Sequence, residues 1–201
     1  MNRGSLFIVS GPSGTGKGTV CTELIKHDNI FLSISATTRD KRVGEEDGVT
    51  YFYTSAEKFK QMIDNNQMLE YAVYSGNYYG TPKKAVEDML AAGKNVILEI
   101  EVQGALKVKQ KMPEAVLIFV VPPSIAELKK RLIERGRENK EEIKRRIGEA
   151  RREFSQLPKY NYVVVNDNLD RCVGDVLDII NETNEKQALI EKLLEEIKGE
   201  N

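Results

Sequence analysis

Ten consecutive residues, Ser10-Gly11-Pro12-Ser13-Gly14-Thr15-Gly16-Lys17-Gly18-Thr19, join backbone-permissive glycines, hydroxyls and one lysine. That combination suits phosphate. Glycines let the chain curl into a nest whose N–H groups converge on an anion, a helix N-terminus behind the nest adds positive potential, and Lys17 can reach the outer phosphates. The apolar run Leu6–Val9 comes before the segment, and a helical pattern with Val20, Leu24 and Ile25 on one face follows it. A strand, a glycine-rich turn and a helix are the context such a loop needs, so residues 11 to 19 are the candidate triphosphate cradle. Gly18 stands where the loop pattern calls for the Ser or Thr hydroxyl that binds Mg²⁺. Thr19, one place later, is the candidate metal ligand.

The elements that must position this loop follow from hydrophobic pattern. Apolar runs at Leu6–Val9, Ile30–Ile34, Val96–Ile100, Ala115–Val121 and Tyr162–Val165 alternate with helical stretches. This alternation predicts a five-stranded parallel sheet flanked by helices, with the fourth run buried on both faces. Thr81-Pro82 and Ser124 read as helix starts, and Gly93 and Gly136 as helix stops. Between 35 and 79 the strands are short and aromatic (Val49–Tyr53, Met68–Tyr74, a Gly76-Asn77 turn, Tyr78-Tyr79), which predicts a small, partly antiparallel insertion. From 133 to 157 the chain is highly charged, with one helix broken at Gly136 and another running from Glu141. The expected division is a core of 1–34, 94–128 and 158–201, an acceptor lobe of 35–93 and a lid of 129–157.

Several spaced motifs in one order make the chain resemble a guanylate kinase along nearly its whole length. They are Ser33-Ile34-Ser35-Ala36-Thr37-Thr38-Arg39, Arg42-Val43-Gly44-Glu45, Gly48 to Tyr51, Glu70-Tyr71-Ala72 and Ser75-Gly76-Asn77-Tyr78-Tyr79-Gly80-Thr81. The Gly-Lys-Gly-Thr form of the loop is likewise similar to nucleoside-monophosphate kinases. The resemblance implies ATP and GMP as substrates, with dGMP as a further acceptor, Mg²⁺ as cofactor, and a role in purine nucleotide metabolism and GMP recycling. It also implies that Ser35, Arg39, Arg42, Tyr51, Glu70, Tyr79 and Thr81 bind GMP.

The chemistry of those residues agrees with that implication. Two arginines and two tyrosine hydroxyls can clamp a dianion. One carboxylate, Glu70, can accept both N1–H and N2–H₂ of guanine, while Ser35 or Thr81 can donate to O6. Thr81 also reads as a plain helix N-cap. The resemblance further carries Arg131, Arg135 and Arg146 over as lid residues that close on the ATP phosphates, where positioned cations are the main catalytic device. Arg131 and Arg135, four apart, share a helix face and repel unless an anion lies between them. Glu99 and Glu101, at the carboxyl edge of a strand, match an acidic pair near the acceptor and Mg²⁺. Glu101 replaces an expected aspartate. Asn166-Asp167 resembles the adenine-side loop.

Composition narrows the alternatives. The 201 residues carry a net charge of −1, 40% apolar residues and two cysteines, Cys21 and Cys172. Widely separated, these read as buried free thiols in a cytoplasmic protein rather than as a disulfide. The lone histidine, His27, falls at a helix end and argues against a metal cluster or a Ser/His/Asp mechanism. Residues 126–152 hold 11 Lys/Arg against 6 Asp/Glu, a local basicity that suits a confined anion and not long nucleic acid. No run approaches a membrane span. Leu189, Ile190, Leu193, Leu194 and Ile197 form a terminal helical stripe expected to pack on the chain's own core, and the sequence leaves monomer or homo-oligomer open. The rival readings are a guanylate-kinase-like protein-binding module without activity, or a monophosphate kinase for another base.

Overall fold

The computed structural model describes residues 3–74, 76–136 and 139–199. Its main sheet contains β1 (Leu6–Ser10), β2 (Ile30–Leu32), β7 (Asn95–Glu99), β8 (Val116–Val121) and β9 (Tyr162–Val165), ordered β2-β7-β1-β8-β9 and parallel throughout. These are the five expected runs. β1 is central, with Phe7 paired to Ile97 on one side and to Val116 on the other.

Period-two alternation explains how β1 is buried on both faces. Phe7 and Val9 join Val20 and Leu24 of α1 (Lys17–Leu24) and Val176 and Ile180 of α7 (Leu169–Gly199). Leu6 and Ile8 join Val86 and Leu90 of α3 (Lys83–Ala91) and Ala105 and Val108 of α4 (Val102–Lys111) on the opposite face. Cys21 and Cys172 are both buried and free, as the sequence suggested.

The insertion forms a second sheet of β3 (Ala36–Thr37), β4 (Phe52–Tyr53), β5 (Met68–Tyr74) and β6 (Asn77–Pro82), in the order β4-β3-β6-β5. β5 and β6 are antiparallel, while β3 and β4 are parallel. It has its own small core, where Phe59 of α2 (Ala56–Asp64) stacks on Tyr78 at 5.2 Å. The run Val49–Tyr53 is a strand only at its last two residues. Thr81-Pro82 belongs to β6, and α3 begins after Pro82 without a side-chain cap. The Thr81 hydroxyl is used elsewhere, as described below.

α5 (Ile125–Glu134) and α6 (Lys140–Phe154) form a helical pair around Leu128, Leu132 and Ala150. Ser124 caps α5 by accepting from Glu127 N at 3.0 Å, and Asn139 and Glu142 make a reciprocal capping box on α6. Gly136, with φ of 62°, ends the first helix. The terminal stripe departs from expectation, because Leu189 and Ile190 are 57% and 47% exposed rather than packed on the core. The side chains of Leu193, Leu194 and Ile197 lie outside the described residues.

Candidate active site

All the chemistry gathers at the carboxyl edge of the main sheet, where open α/β sheets bind ligands. The loop leaving β1 has positive φ at Gly11, Gly14 and Gly16, the backbone that residue types with a Cβ avoid. It is tight as well as curled. A Cβ at Gly16 would lie 2.4 Å from Asn166 Nδ2, and that amide donates to Thr15 O at 2.8 Å. Thr15 Oγ1 donates to Pro12 O, and Lys17 Nζ donates to the carbonyls of Gly11 and Pro12. Burial pushes the Lys17 ammonium below its usual range, while Glu99 and Glu101 pull it back up.

Two cavities meet at this loop. The larger, about 950 Å³, is lined by Ser13, Gly14, Gly16, Lys17 and Gly18 from the loop and by Ser35, Arg39, Arg42, Tyr51, Glu70 and Tyr79 from the insertion. Glu99 from the end of β7, Glu101 from the turn after it and Arg135 from the end of α5 complete the lining. The smaller, about 470 Å³, is lined by Gly14, Gly16, Thr19, Arg131, Arg135, Asn166 and Asp167 among others. Gly14, Gly16 and Arg135 face both cavities. Two anionic ligands lying end to end across the loop would share those three residues.

The arginines of the insertion are organised by a residue that the sequence reading quoted but gave no role, Glu45. Its carboxylate accepts from Arg39 Nη2 at 2.7 and 2.9 Å, from Arg42 N at 2.9 Å and from Tyr53 OH at 2.7 Å. Those donors, Arg39 first, hold the Glu45 carboxyl down at about 2. The Arg39 guanidinium also lies 5.6 Å from the Tyr51 ring centre, and Tyr51 meets Tyr79 edge-on at 5.9 Å. Arg39, Tyr51 and Tyr79 are therefore brought together as a unit. The signal for Glu45 was local: an acid six residues after an arginine, across a Gly44 turn with φ of 85°.

Glu70 is 6% exposed, and burial raises its carboxyl against the opposing effects of Thr81, Lys107 and Lys111. Thr81 Oγ1 donates to Glu70 Oε1 at 2.8 Å. A threonine hydroxyl carries a single proton, so with that proton given to Glu70 Thr81 has none to offer a base carbonyl, and the cap position of α3 falls to Pro82. Ser35, which lines the same cavity, is left as the hydroxyl donor for a base carbonyl. Glu99 keeps a solvent-facing surface and lines the larger cavity. The surrounding protein raises its carboxyl, with Lys17 opposing. A Cβ at Gly18 would lie 3.3 Å from Glu99 Oε1, so a carboxylate fills the neighbourhood a loop hydroxyl would otherwise occupy.

Arg131, Arg135 and Arg146, the arginines expected in a lid, take separate positions on α5, at its end and on α6. Arg131 pairs with Glu127 at 3.0 Å and donates to Asn166 O at 2.9 Å, tying α5 to the loop after β9. Glu127 lies one turn before Arg131 and Arg135 one turn after it, so the acid pairs with Arg131 without standing between the two arginines. Arg146 Nη1 donates to Ser13 Oγ at 2.8 Å, which sets α6 directly against the phosphate loop. Sequence reasoning missed Glu153, an acid of α6 lining the larger cavity. Burial and then Glu101 raise its carboxyl to about 7, and none of the described residues donates a hydrogen bond to its enclosed Oε2.

The chain matches a known family over most of its length. The sequence profile of the family described as guanylate kinase matches residues 3–183. A guanylate kinase of Clostridium perfringens is 56% identical over 180 residues, covering 89% of this chain and 83% of that protein. One from Halalkalibacterium halodurans is 50% identical over 192 residues, covering 94% of each. The crystal structure of a guanylate kinase from Anaplasma phagocytophilum superposes with a TM-score of 0.73 at 32% identity, covering 90% of this chain and 86% of that one.

Proposed function

The chain belongs to the guanylate kinase family, and we propose that its two adjoining cavities hold the substrates of the family's reaction, GMP in the larger and ATP in the smaller. The carrying observation is the buried Glu70 carboxylate, held by Thr81 at the wall of a cavity whose other end is lined by Arg39, Arg42, Tyr51 and Tyr79. Guanine N1–H and N2–H₂ would meet the carboxylate, O6 the Ser35 hydroxyl, and the 5′-phosphate the arginine–tyrosine group.

Transfer itself asks the protein for position and charge. Gly11 through Thr19 would hold the triphosphate, with Asn166 bracing Thr15 and Gly16 from behind. Lys17 would follow the negative charge that gathers on the leaving oxygen. Arg135, which faces both cavities, is suited to the phosphoryl group midway, and Arg146 reaches the loop through Ser13. Arg131 would steady the adenine-side wall through Asn166. The intact lysine and lid arginines favour an active kinase over a binding-only module.

The donor set near Gly18 fits Mg²⁺. Hard oxygen ligands suit it, it keeps several waters, and one or two carboxylates plus phosphate oxygens commonly complete its shell. Glu99, beside Gly18, is the carboxylate we assign to it, with Glu101 nearby, whereas Thr19 lines the smaller cavity. When bound, Mg²⁺ would neutralise charge on the β- and γ-phosphates.

The test is kcat/KM with ATP for GMP, AMP, CMP and dTMP in turn. GMP should exceed AMP by about 10⁴, because adenine presents an acceptor where guanine presents a donor and would leave Glu70 without a partner. Glu70→Gln should weaken GMP use by roughly 10² and leave ATP affinity unchanged. AMP turnover rivalling that of GMP, or intact GMP use in Glu70→Gln, would reject the assignment.

A further inference from the structure

Gly104 occupies the first turn of α4, and its backbone makes no demand for glycine, because its φ lies outside the left-handed region. Glycine at an undemanding helical position weakens the helix relative to alanine. The contacts supply a reason for it. A Cβ at position 104 would lie 2.9 Å from Glu70 Oε2, 3.3 Å from Glu70 Cδ and 3.5 Å from Ile100 Cδ1. The first two distances are inside the roughly 3.5 Å at which non-bonded heavy atoms sit comfortably. The missing methyl is the space in which the carboxylate lies.

The carboxylate is held by one side-chain hydrogen bond and the helix by two. Glu70 Oε1 is held by Thr81, and the side chain is 6% exposed. On the other side, α4 is strapped to β5 by two lysines one turn apart. Lys111 Nζ donates to Met68 O at 3.2 Å and Lys107 Nζ to Tyr71 O at 3.4 Å, with the Lys107 ammonium 5.8 Å from the Tyr71 ring centre. These straps fall on either side of Glu70 in sequence. An added methyl would therefore be relieved by moving the carboxylate rather than the helix.

We propose that Gly104 is a positioning residue for base specificity: by lacking a side chain it fixes where the Glu70 carboxylate can lie and so keeps both of its oxygens available to guanine. The proposal rests on the reading that Glu70 accepts from guanine. Two hydrogen bonds to adjacent donors tolerate only a few tenths of an ångström of displacement before one lengthens beyond use. Gly104 faces Oε2, so Gly104→Ala should cost mainly the bond that Oε2 accepts, which the proposal assigns to the N2 amine, the group that distinguishes GMP from IMP.

The experiment is a double-mutant cycle of Gly104→Ala and Glu70→Asp, reading kcat/KM for GMP and IMP, KM for ATP, and folding by circular dichroism. Gly104→Ala should lower GMP use about ten- to a hundredfold, chiefly through KM, shrink the GMP:IMP ratio and leave ATP unchanged. Glu70→Asp withdraws the carboxylate by one methylene and should cost severalfold less when combined with Gly104→Ala than when made alone. Wild-type GMP use and GMP:IMP ratio in Gly104→Ala, with Glu70→Asp impaired, overturns the role of Gly104 while leaving that of Glu70 standing. Intact GMP use in Glu70→Asp and Glu70→Gln overturns the underlying reading instead. Equal losses for GMP, IMP and ATP, or a misfolded Gly104→Ala that Glu70→Asp does not rescue, would place the conflict elsewhere and also overturn the proposal.

Discussion

Glu153 makes the site's electrostatics measurable without any substrate. It sits on α6 facing Lys17 from the phosphate loop, Glu101 from the turn after β7 and Glu149 from its own helix, with Tyr160 close behind. Burial and Glu101 lift its carboxyl from 4.5 to about 7. A carboxyl raised on folding makes the native state bind more protons than the unfolded chain between those two values, so stability falls as pH rises through that interval and is level beyond it. At about 1.4 kcal/mol per pH unit the full gap sets a ceiling of about 3 kcal/mol. Residual water contact reduces this to about 1 to 2 kcal/mol. Glu153→Gln keeps the shape and removes the charge. It should therefore match the wild type near pH 4.5 and exceed it at pH 8, by roughly 2 to 8 °C in Tm for a chain of this size. Thermal melts of the ligand-free protein at half-unit steps from about pH 4.5 to 8 are the assay. A Tm difference that does not change with pH, or one that favours the wild type at high pH, would refute the argument that this acid is held against its own charge.

Glu45 should behave in the opposite sense: its carboxyl is lowered from 4.5 to about 2, so what it contributes is present above about 4.5 and lost as pH falls through 2. The Tm difference between wild type and Glu45→Gln should accordingly stay constant from about pH 8 to 5, and a difference that shrinks across that range counts against the Arg39 pairing. Lys17→Ala should lower turnover by about 10² to 10⁴ in a folded protein, and full activity would remove Lys17 from the reaction. The insertion and the α5–α6 pair have their own small cores, so both should swing inward with a bisubstrate analogue. X-ray scattering should show a smaller radius of gyration, and an unchanged one would deny a lid role to Arg135 and Arg146.

What the sequence made legible was whatever depends on neighbours in the chain. The phosphate loop shows itself because glycine spacing, the preceding strand and the following helix are all local, and the sheet because each strand is one apolar run. α2 and α4 carried no reading, although Phe59, Met62 and Ile63 on α2 have helical spacing and Ser55 caps it by accepting from Lys58 N. Thr81 was legible as a hydroxyl near a helix start. Only the fold could decide between capping α3 and holding Glu70, because the pairing of β5 with β6 sets Thr81 beside Glu70. The terminal stripe misled for a related reason, since helical periodicity says that one face is apolar and not that anything lies against it.

Two of the residues that escaped sequence reading share a physical character: each acts through something brought near only by the fold. Gly104 on α4 matters because of the Glu70 carboxylate, supplied by β5 of the second sheet, and Glu153 because of Lys17 and Glu101. Gly18 shows how such a pairing changes the meaning of a local motif. Taken alone it is a phosphate loop lacking its metal-binding hydroxyl. Beside Glu99, it is the gap that lets a longer acid reach the same neighbourhood, since a Cβ there would come 3.3 Å from Oε1. The same logic joins the two glycines. At both positions a missing side chain makes room for a glutamate, Glu70 beside α4 and Glu99 beside the loop after β1, so two of the cavity's acids owe their positions to space that glycines leave open.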